Sequence, residues 1–439
     1  MMKGHNMMKG HNMKVSIILP CLNVGSYISE CIESAINQTL EDIELICVDA
    51  GSTDGTLETL REYECRDSRI KVIVSDKKSM GYQYNLGMDA ASGEYIGFLE
   101  GDDYIPEEMY TELYDIAKAN DVDFVKADFY RFMGEGETLS KALFKLSHNA
   151  TDYNRVINLA QYQKPFRFVM NTWSGIYKRS FLEKYNIRYN ETPGASYQDT
   201  GFWFLTFMYA ERAYFVDKPY YMNRRDNENS SVYNKGKVYC VCDEFNYIFD
   251  YLSKDKKMLE IFGTEYSYAC FRYYQGNLER IADEYKKEFL KRWSEDFKIL
   301  QDKGLVDFKI FNEADRKMLL DIIKNPTEYY ENTVAKENVF YKEIMTHKNI
   351  IIYGAGTIGK QILDTLLTME NRADVICFAV SKKDENYDTY KGIDICDIRD
   401  LLAYRENGYI VIGTTALYHE EIKSLLLELG FKNIIAAPM

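Results

Sequence analysis

The sequence lacks any excess of positive charge, since 54 Lys and Arg face 68 Asp and Glu and give a net charge of −14. A broad basic surface for nucleic acid is therefore excluded. No apolar run approaches the roughly 18–20 residues that a membrane-spanning helix needs, and the N-terminus has no signal-peptide apolar core. We expect a cytoplasmic protein, and peripheral contact with the inner face of the membrane is compatible with the sequence.

A cysteine framework is also missing. The nine cysteines are scattered, and the close pair Cys240 and Cys242 has no second pair or neighbouring His to complete a zinc site. We therefore expect free thiols in a reducing compartment. Trp and Pro are scarce at 3 and 7 residues, against 37 Tyr. Tyrosine rings and hydroxyls suit polar, ring-shaped ligands, but they are also common in ordinary cores.

What the sequence does contain is a regular alternation of strand and helix patterns. The β-rich runs "KVSIILP", "IELICVD", "IKVIVSD" and "EYIGFLEGDD" are separated by three stretches with helical spacing. This alternation predicts a doubly wound, mostly parallel sheet. Ligands of such sheets bind beyond the carboxyl ends of the strands. Asp49 and the acids from Glu100 to Asp103 follow two of these strands.

The length of 439 residues predicts more than one domain. Residues 1–12 repeat "MMKGHN" twice, and we interpret them as an N-terminal extension or artefact. We assign residues 13–234 to the first α/β domain and 235–348 to a mostly helical region and linker. A smaller α/β domain is predicted for residues 349–439.

Three acids, Glu100, Asp102 and Asp103, follow the strand "EYIGFL" almost without interruption. Like charges so close together repel one another, and burial adds a further penalty. Mg²⁺ or Mn²⁺ would relieve the repulsion, because these ions bind carboxylate oxygens and complete their shell with water and phosphate oxygens. Asp102, helped by Glu100 or Asp103, is thus a candidate metal site. The alternative is a solvated acidic turn before a helix near Pro106.

Residues 14–110 resemble the start of family-two glycosyltransferases with the GT-A fold. The matching segments are, in order, Pro20 to Asn23, "DAGSTD" from Asp49, Gly81 with Asn85, "GEY" and "EGDD". The resemblance implies a GT-A nucleotide-sugar-binding domain with Asp102 and Asp103 as metal ligands. It also implies a set of nucleotide-sugar-binding residues, namely Pro20, Asn23, Asp49, Gly81, Asn85 and Glu100.

The activity that the resemblance implies is inverting, metal-dependent glycosyl transfer. The donor would be a nucleoside-diphosphate sugar, with UDP as the favoured nucleotide, and the acceptor a glycan or a lipid-linked glycan in bacterial surface-polysaccharide synthesis. The sequence departs from the family pattern at Ala50, which replaces an acid, and at Glu100, which replaces the first Asp of Asp-x-Asp. Gln83 and Tyr84 replace the usual Ala-Arg. These departures leave the identity of the nucleotide base undecided, and they remove one cation that the family pattern places near the donor phosphates.

An inverting transfer needs a carboxylate that accepts the proton of the acceptor hydroxyl. The segment "SYQDTGFWF" resembles the acidic pair of the family and implies Asp199 as the catalytic base, next to Gln198. Alternatively, Asp199 is an N-cap or first-turn acid that interacts with the helix dipole. Upstream, Trp173 in "NTWSGIY" either stacks on an acceptor sugar or packs in the core. Arg224 and Arg225 either close over the diphosphate or form a solvated pair.

The smaller α/β domain contains "IIIYGAGTIGKQI", in which Gly354, Gly356 and Gly359 have the spacing of a dinucleotide-binding turn between a strand and a helix. The acid expected after the next strand, "ICFAV", is absent. The domain resembles small Rossmann-like domains attached to sugar-modifying enzymes. The three glycines are therefore a candidate second nucleotide site, and the alternative is tight strand–helix packing without a ligand.

Two other functions fit parts of the sequence. The altered acids fit a catalytically impaired protein that binds or senses a nucleotide, and slow hydrolysis of the donor would distinguish an enzyme from it. The glycines fit an NAD-dependent enzyme, although the missing acid and the small domain argue against it. A cofactor titration would decide that case.

Overall fold

The computed structural model describes residues 13–134, 136–227, 234–369, 373–382 and 389–438. The predicted extension, residues 1–12, lies outside the described residues. The chain divides into two compact units. The first consists of the described residues up to Ala282 and of Asp296–Arg316, and the second of Asp283–Glu295 and the residues from Lys317 onward.

The first unit is built on one large sheet. Its described strands are β1 (Val15–Cys21), β2 (Ile43–Asp49), β3 (Ile70–Val74), β4 (Tyr95–Phe98), β5 (Phe124–Met133), β6 (Ser140–Phe144), β7 (Val156–Ile157), β8 (Gly175–Lys178) and β9 (Ala213–Arg224). Their spatial order is β3-β2-β1-β4-β8-β5-β9-β7, with β6 paired to β5. The strands from β3 to β4 in this order are parallel, and so are β5 and β9, whereas β8 is antiparallel to both of its neighbours.

The helices of this unit alternate with the strands in the first hundred residues and follow one another later in the chain. They are α1 (Ile28–Ile36), α2 (Thr56–Arg66), α3 (Met80–Ala90), α4 (Met109–Asn120), α5 (Arg179–Lys184), α6 (Gln198–Tyr209), α7 (Cys240–Leu252) and α8 (Lys256–Arg280). Two further helices, α9 (Asp283–Asp302) and α10 (Glu313–Lys324), contain residues of both units. No described helix is both long and apolar enough to cross a membrane.

The local patterns explain these elements. Six of the seven residues of β1 are buried, as expected for a parallel strand covered on both faces. The spacing that predicts the first helix places Ile28, Cys31, Ile32 and Ala35 on one side of α1, and all four are buried. The predicted alternation of strand and helix is confirmed from β1 to β4.

The topology brings several strand ends to one edge of the sheet. Because β8 is antiparallel to both β4 and β5, the parallel strands β4, β5 and β9 end on the same side. Asp49 ends β2, the acids follow β4, and Arg224 ends β9. Ligands of such sheets bind at this edge, and most of the charged residues predicted to belong to the site lie there.

The second unit contains a smaller sheet with strands β10 (Ile350–Tyr353), β11 (Val375–Val380), β12 (Thr389–Tyr390), β13 (Ile393–Asp397), β14 (Tyr409–Ile412) and β15 (Asn433–Ala436). Their order is β12-β13-β11-β10-β14-β15, and all neighbours are parallel except β12 and β13. Its helices are α11 (Pro326–Tyr329), α12 (Ala335–Met345), α13 (Thr357–Thr368) and α14 (His419–Glu428). The predicted fold class is confirmed: an α/β domain with a mostly parallel sheet, a helical middle region and a small second α/β domain.

Candidate active site

The loops after β1 and β2 are joined by hydrogen bonds between side chains and the backbone. Asn23 has a left-handed φ of 54°. Its N–H donates to Ser52 Oγ at 2.9 Å, and its Oδ1 accepts from the N–H of Thr53 at 2.9 Å. The N–H of Gly25 donates to Asp54 Oδ2 at 2.8 Å. The two loops therefore form one preformed rim at the edge of the sheet.

Asp49 lies beneath this rim and is fully buried. Its Oδ2 accepts from the N–H groups of Gly51 and Ser52 at 2.9 and 3.1 Å. Its Oδ1 is buried without a hydrogen-bond partner among the described residues. Pro20 of β1 pairs with Val48, directly before Asp49. A buried acceptor without a partner is costly, so this edge is suited to a ligand that offers an N–H or O–H group.

The predicted residues of α3 lie in packed positions. A Cβ on Gly81 would come within 1.9 Å of the carbonyl oxygen of Asn190. The carboxamide of Asn85 donates to the carbonyl of Tyr189 at 2.9 Å and accepts from its N–H at 3.0 Å. Gln83 donates to the backbone carbonyls at the ends of β1 and β2 at 2.9 and 2.6 Å. These contacts support the frame of the site, and direct contact of Gly81 and Asn85 with a nucleotide sugar stays a prediction.

The acids after β4 form a cluster. One carboxylate oxygen from each of Glu100, Asp102 and Asp103 lies within 4.8 Å of the other two. Burial, and then the neighbouring Asp103 and Asp102, raise the pKa of Glu100 well above its ordinary value. Burial, followed by Asp102, raises the pKa of Asp103 to about 8. A divalent cation removes this mutual repulsion, so the three carboxyl groups fit a metal site of the kind expected from the sequence.

Asp103 also connects β4 to β9. Its Oδ1 accepts from the N–H of Arg224 at 2.7 Å, and its Oδ2 accepts from Asn223 Nδ2 at 3.1 Å. The guanidinium of Arg224 donates to the carbonyl of Asp102 at 2.9 Å and pairs with Glu30 at 2.7 Å. Arg224 is only 5% exposed. Arg224 is thus not half of a solvated pair. Arg224 and Arg225 both line the pocket described below, and closure over a diphosphate stays a prediction.

Asp199 is the second residue of α6, and Tyr197, with a left-handed φ of 67°, occupies the N-cap position. Of the two helix-start roles considered, Asp199 is therefore a first-turn acid. One of its carboxylate oxygens accepts from the N–H of Thr200 at 3.0 Å. Burial raises the pKa of Asp199 to about 6. A carboxylate with a pKa near the working pH is suited to general-base chemistry.

Gln198, directly before Asp199, replaces the Glu of the Glu-Asp pair that is usual in the family, and its contacts account for the replacement. Gln198 is fully buried, and its Nε2 donates to the carbonyls of Thr192 and Gly194, both at 2.9 Å. Its Oε1 accepts from the N–H of Ser196 at 2.5 Å. An ionised Glu could not donate to two carbonyl oxygens. Gln198 therefore holds the loop that leads into α6.

A pocket of about 240 Å³ joins these groups within the first unit. Six of the residues considered in the sequence analysis line it, namely Glu100, Asp102, Trp173, Asp199, Arg224 and Arg225. The sequence analysis missed several other lining residues, among them Arg131, Asn171, Tyr197, Lys237 and Arg280. Lys237 and Arg280 come from the region assigned to a helical linker, where no motif marks them. Asn171 begins the segment that contains Trp173 and could have been considered with it.

Family comparison identifies the fold of this unit. Residues 16–185 match the model of glycosyl transferase family 2. The first unit thus contains a segment that is similar to this family, called the family 2 domain below. Residues 346–435, which contain all but the last residue of the smaller sheet, match a model described as C2185-like, N-terminal.

Relatives of the family 2 domain include the glycosyltransferase EpsJ of Bacillus subtilis, described as uncharacterized, which is 34% identical over 216 residues. That match covers 49% of this chain and 62% of EpsJ. A poly(ribitol-phosphate) beta-glucosyltransferase of Bacillus spizizenii is 31% identical over 228 residues, 50% of this chain and 34% of the relative. The chain thus spans less than two thirds of the length of these relatives.

A solved structure shows the same fold. Residues 1–349 of TarS from S. aureus, in complex with UDP, superpose with a TM-score of 0.57 at 19% identity. The superposition covers 75% of this chain and 92% of that one. It supports the GT-A architecture that the sequence predicts for the family 2 domain.

Trp173, considered either as an acceptor contact or as a core residue, is packed among aromatic side chains. Its ring stacks on Tyr221 with centroids 4.1 Å apart and meets Phe129 edge to face. It is 9% exposed and still lines the pocket of the family 2 domain. It therefore packs in the core and also contributes to the wall of the pocket, and its contact with an acceptor sugar stays a prediction.

In the second unit, Gly354 and Gly356 lie between β10 and α13, and Gly359 lies in the first turn of α13. A Cβ on Gly359 would come within 1.8 Å of the carbonyl oxygen of Gly354, which has a φ of 110°. A Cβ on Gly356 would meet no atom within 4 Å. Two of the glycines are thus required by strand–helix packing and by backbone conformation, and a nucleotide at this turn stays a prediction.

Proposed function

We propose that this protein is an inverting, metal-dependent glycosyltransferase. It would move a sugar from a nucleoside-diphosphate sugar, with UDP as the nucleotide, to a hydroxyl of a glycan or lipid-linked acceptor in surface-polysaccharide synthesis. The observation that carries the proposal is the shared pocket, which is lined both by Asp199 and by Glu100 and Asp102 of the acidic cluster. The pocket thus combines a candidate base with a candidate site for the leaving group.

Glu100, Asp102 and Asp103 would hold Mg²⁺ or Mn²⁺, which when bound neutralises the charge of a departing diphosphate. On the nucleoside side, the unpartnered Oδ1 of Asp49 would accept a hydrogen bond from the ligand. A cation from the chain is also close to this rim. Lys78 Cε lies 3.9 Å from the position of a Cβ on Gly51.

The proposed reaction is a single displacement. Asp199 accepts the proton of the acceptor hydroxyl, and the resulting oxygen nucleophile attacks the anomeric carbon of the donor sugar. The bond between this carbon and the diphosphate oxygen breaks, and the electron pair leaves with the nucleoside diphosphate. Attack opposite the leaving group inverts the anomeric configuration. The raised pKa of Asp199, about 6, lets it accept a proton more readily than an ordinary Asp.

The choice of UDP is supported by the TarS structure, which contains UDP and shares the fold. The acceptor is supported by the relatives, one of which is named as a poly(ribitol-phosphate) glucosyltransferase. Loss of catalysis, with nucleotide binding retained, is the alternative function that the experiment below must exclude.

Calorimetry with UDP, GDP and CDP, with and without Mn²⁺, tests the binding part of the proposal. We expect Mn²⁺-dependent binding of UDP and slow release of UDP from a UDP-sugar without acceptor. Asp102→Ala should weaken Mn²⁺-dependent binding by about 10²-fold or more, because a charge-assisted ligand is lost. Asp89→Asn is a matched control, since Asp89 is an exposed acid that pairs with Arg188 at 2.6 Å. Equal UDP affinity in wild type and Asp102→Ala would contradict the assignment, and binding without any hydrolysis or transfer would favour a sensor.

A further inference from the structure

Three residues that line the pocket carry a buried N–H donor without a hydrogen-bond partner among the described residues. These donors are Arg131 Nε, Asn171 Nδ2 and Arg280 Nε. A buried donor without a partner is destabilising, and each such group requires an explanation. Because all three groups are donors, the ligand that satisfies them must present acceptor oxygens.

The orientation of Asn171 follows from its neighbours. Its Oδ1 accepts from Lys126 Nζ at 2.8 Å and from the N–H and Oγ of Ser174 at 3.1 and 2.7 Å. A rotated carboxamide would place its NH₂ group against three donors, so Nδ2 is the group left without a partner. Lys126 is 2% exposed and also donates to the carbonyl of Asn171 at 2.6 Å. Lys126 thus acts as a positioning residue for Asn171.

The same wall carries positive charge that no described carboxylate neutralises. Arg131 lies over the ring of Phe144, 4.2 Å from its centroid, and forms no ion pair with a described residue. Lys237 donates to the carbonyl of Ala195, and Arg280 donates to the carbonyl of Lys237 at 2.5 Å. Burial, followed by Arg225, lowers the pKa of Arg131, as expected for cations that lack a counter-charge.

The sheet order places Arg131 away from the nucleotide rim. The rim belongs to β1 and β2, the acids follow β4, and Arg131 lies on β5, which stands beyond β4 in the strand order. At Arg131 the strand beside β5 is β9, because Arg131 pairs with Asn223, and Tyr104, which follows the acids, bridges to Met222 of β9. Neighbouring strands are about 4.8 Å apart, so Arg131 lies roughly 10 Å from the segment after β4, on the side opposite to the rim. A diphosphate held between Asp49 and Asp102 therefore leaves Arg131 on the side of the sugars.

We propose that a sugar substrate of this pocket carries an oxyanion, either a phosphate or a carboxylate, that Arg131 binds. Asn171 donates from Nδ2 to a neighbouring oxygen of the same substrate. Lys237 and Arg280 add positive potential to the pocket. This inference rests on the proposed glycosyl transfer, and the oxyanion belongs either to the acceptor or to the sugar of the donor.

Calorimetry on the full chain distinguishes an oxyanion on the acceptor from an oxyanion on the sugar of the donor. In the first arm, protein saturated with UDP and Mn²⁺ is titrated with glycerol 3-phosphate, glucuronate, glycerol and glucose, so that the diphosphate site is already filled. In the second arm, UDP-glucuronate is compared with UDP-glucose in the presence of Mn²⁺. We expect the anionic compound to bind at least about 10-fold more tightly than its neutral counterpart in one of the arms.

Variants test the residues. Arg131→Gln should remove the preference for the anion, and its side chain donates no hydrogen bond to a described residue, so the fold should tolerate the change. Asn171→Asp keeps an acceptor for Lys126 and Ser174 but replaces the donor by a negative oxygen, and should weaken anion binding by about 10-fold or more. Lys141→Gln removes an exposed cation on the neighbouring strand β6 and should keep the preference.

Two outcomes overturn the inference: equal binding of anionic and neutral compounds in both arms, or a preference that survives Arg131→Gln. If Asn171→Asp does not fold, the Arg131→Gln result decides alone. Failure of UDP to bind in the presence of Mn²⁺ would instead refute the proposed function, and this inference with it. UDP binding without an anion preference would refute only the inference.

Discussion

At the carboxyl ends of the first sheet, carboxyl groups lie close together and are partly or fully buried, and Asp49 Oδ1 has no partner among the described residues. At the corresponding edge of the second sheet, a glycine turn packs on its own strand. There, Tyr353 and Ser381 share a hydrogen bond of 2.5 Å between their hydroxyl groups, and Arg399 donates to the carbonyl of Ser381 at 2.6 Å. Within the described part of residues 349–438, no buried side-chain N or O atom lacks a hydrogen-bond partner.

The difference shows what a sequence motif does and does not establish. The glycine spacing predicts a turn at which another group can come close to the backbone. In the structure, that group is the start of α13, where Gly359 packs against the carbonyl of Gly354. Unsatisfied donors, unsatisfied acceptors and repelling charges are a separate signal, because each of them costs folding free energy and therefore requires an explanation such as a bound ligand. By that criterion, the stronger ligand site lies in the first unit.

Among the variants that test the site in the first unit, Asp199→Asn should have the largest effect on turnover. Asn keeps the size of the side chain but cannot accept the proton of the acceptor, so turnover should fall by about 10²–10⁴-fold. Donor affinity and melting temperature should remain near wild type, because Asn is tolerated in a first helical turn. Turnover, UDP affinity and thermal melting are measured on the same preparation. A fully active variant would place the base elsewhere in the pocket.

The pH dependence of transfer should follow the same residue. The pKa of Asp199 is raised to about 6, and only the deprotonated carboxylate acts as a base. Below pH 6 the rate should therefore decrease by about tenfold per pH unit, and above it the rate should level off. The profile of kcat/KM is compared with the pH dependence of UDP binding, since Glu100 and Asp103 also titrate. A rate that is independent of pH between 4.5 and 6 would contradict the assignment.

Glu244 on α7 is a buried carboxyl group of the first unit, and its effect on the free energy of unfolding can be measured. Glu244 is fully buried, and burial raises its pKa to about 9. Its Oε1 accepts from Asn190 Nδ2 at 2.9 Å, and its Oε2 has no partner among the described residues. Between its unfolded pKa, about 4.3, and 9, the folded state keeps a proton that the unfolded state loses. This residue therefore lowers the free energy of unfolding as the pH rises, by up to about 1.4 kcal/mol per pH unit.

Glu244→Gln replaces the protonated carboxyl by a neutral group of similar shape. We expect the variant to gain stability relative to wild type as the pH is raised from 6 to 8. Denaturant unfolding at pH 6, 7 and 8 measures the difference, with the exposed Glu260→Gln as the control. A difference that does not change with pH would show that Glu244 is charged in the folded state.

The smallest effect is expected in the second unit, where Gly356→Ala adds a Cβ in open space. If the turn binds no nucleotide, binding of UDP and of NAD should change by less than about twofold and melting should stay the same. A titration with both nucleotides tests this. Suppose that Gly356→Ala abolishes binding of UDP or NAD while Asp102→Ala leaves it unchanged. The stronger ligand site would then lie in the second unit and not in the first.

Much of the first sheet could be predicted because its signals are local. The apolar spacing of Ile28, Cys31 and Ile32 predicts α1, and it depends only on residues within two turns of one another. The acids after β4 were identified because they follow the strand directly in the chain. The role of Arg224 could not be predicted, since its partners Glu30 and Asp103 lie 194 and 121 positions away.

The sequence alone thus determined the succession of strands and helices, the strand ends that carry Asp49 and Asp102, and the resemblance to a glycosyltransferase domain, because periodicity and motif order are properties of neighbouring residues. The tertiary structure decided which distant side chains share the pocket. It brought Arg131, Asn171 and Arg280 to the wall near Asp199, and it set the burial that raises the pKa of Asp199. Burial and hydrogen-bond partners result from contacts between segments far apart in the chain, and no local pattern records them.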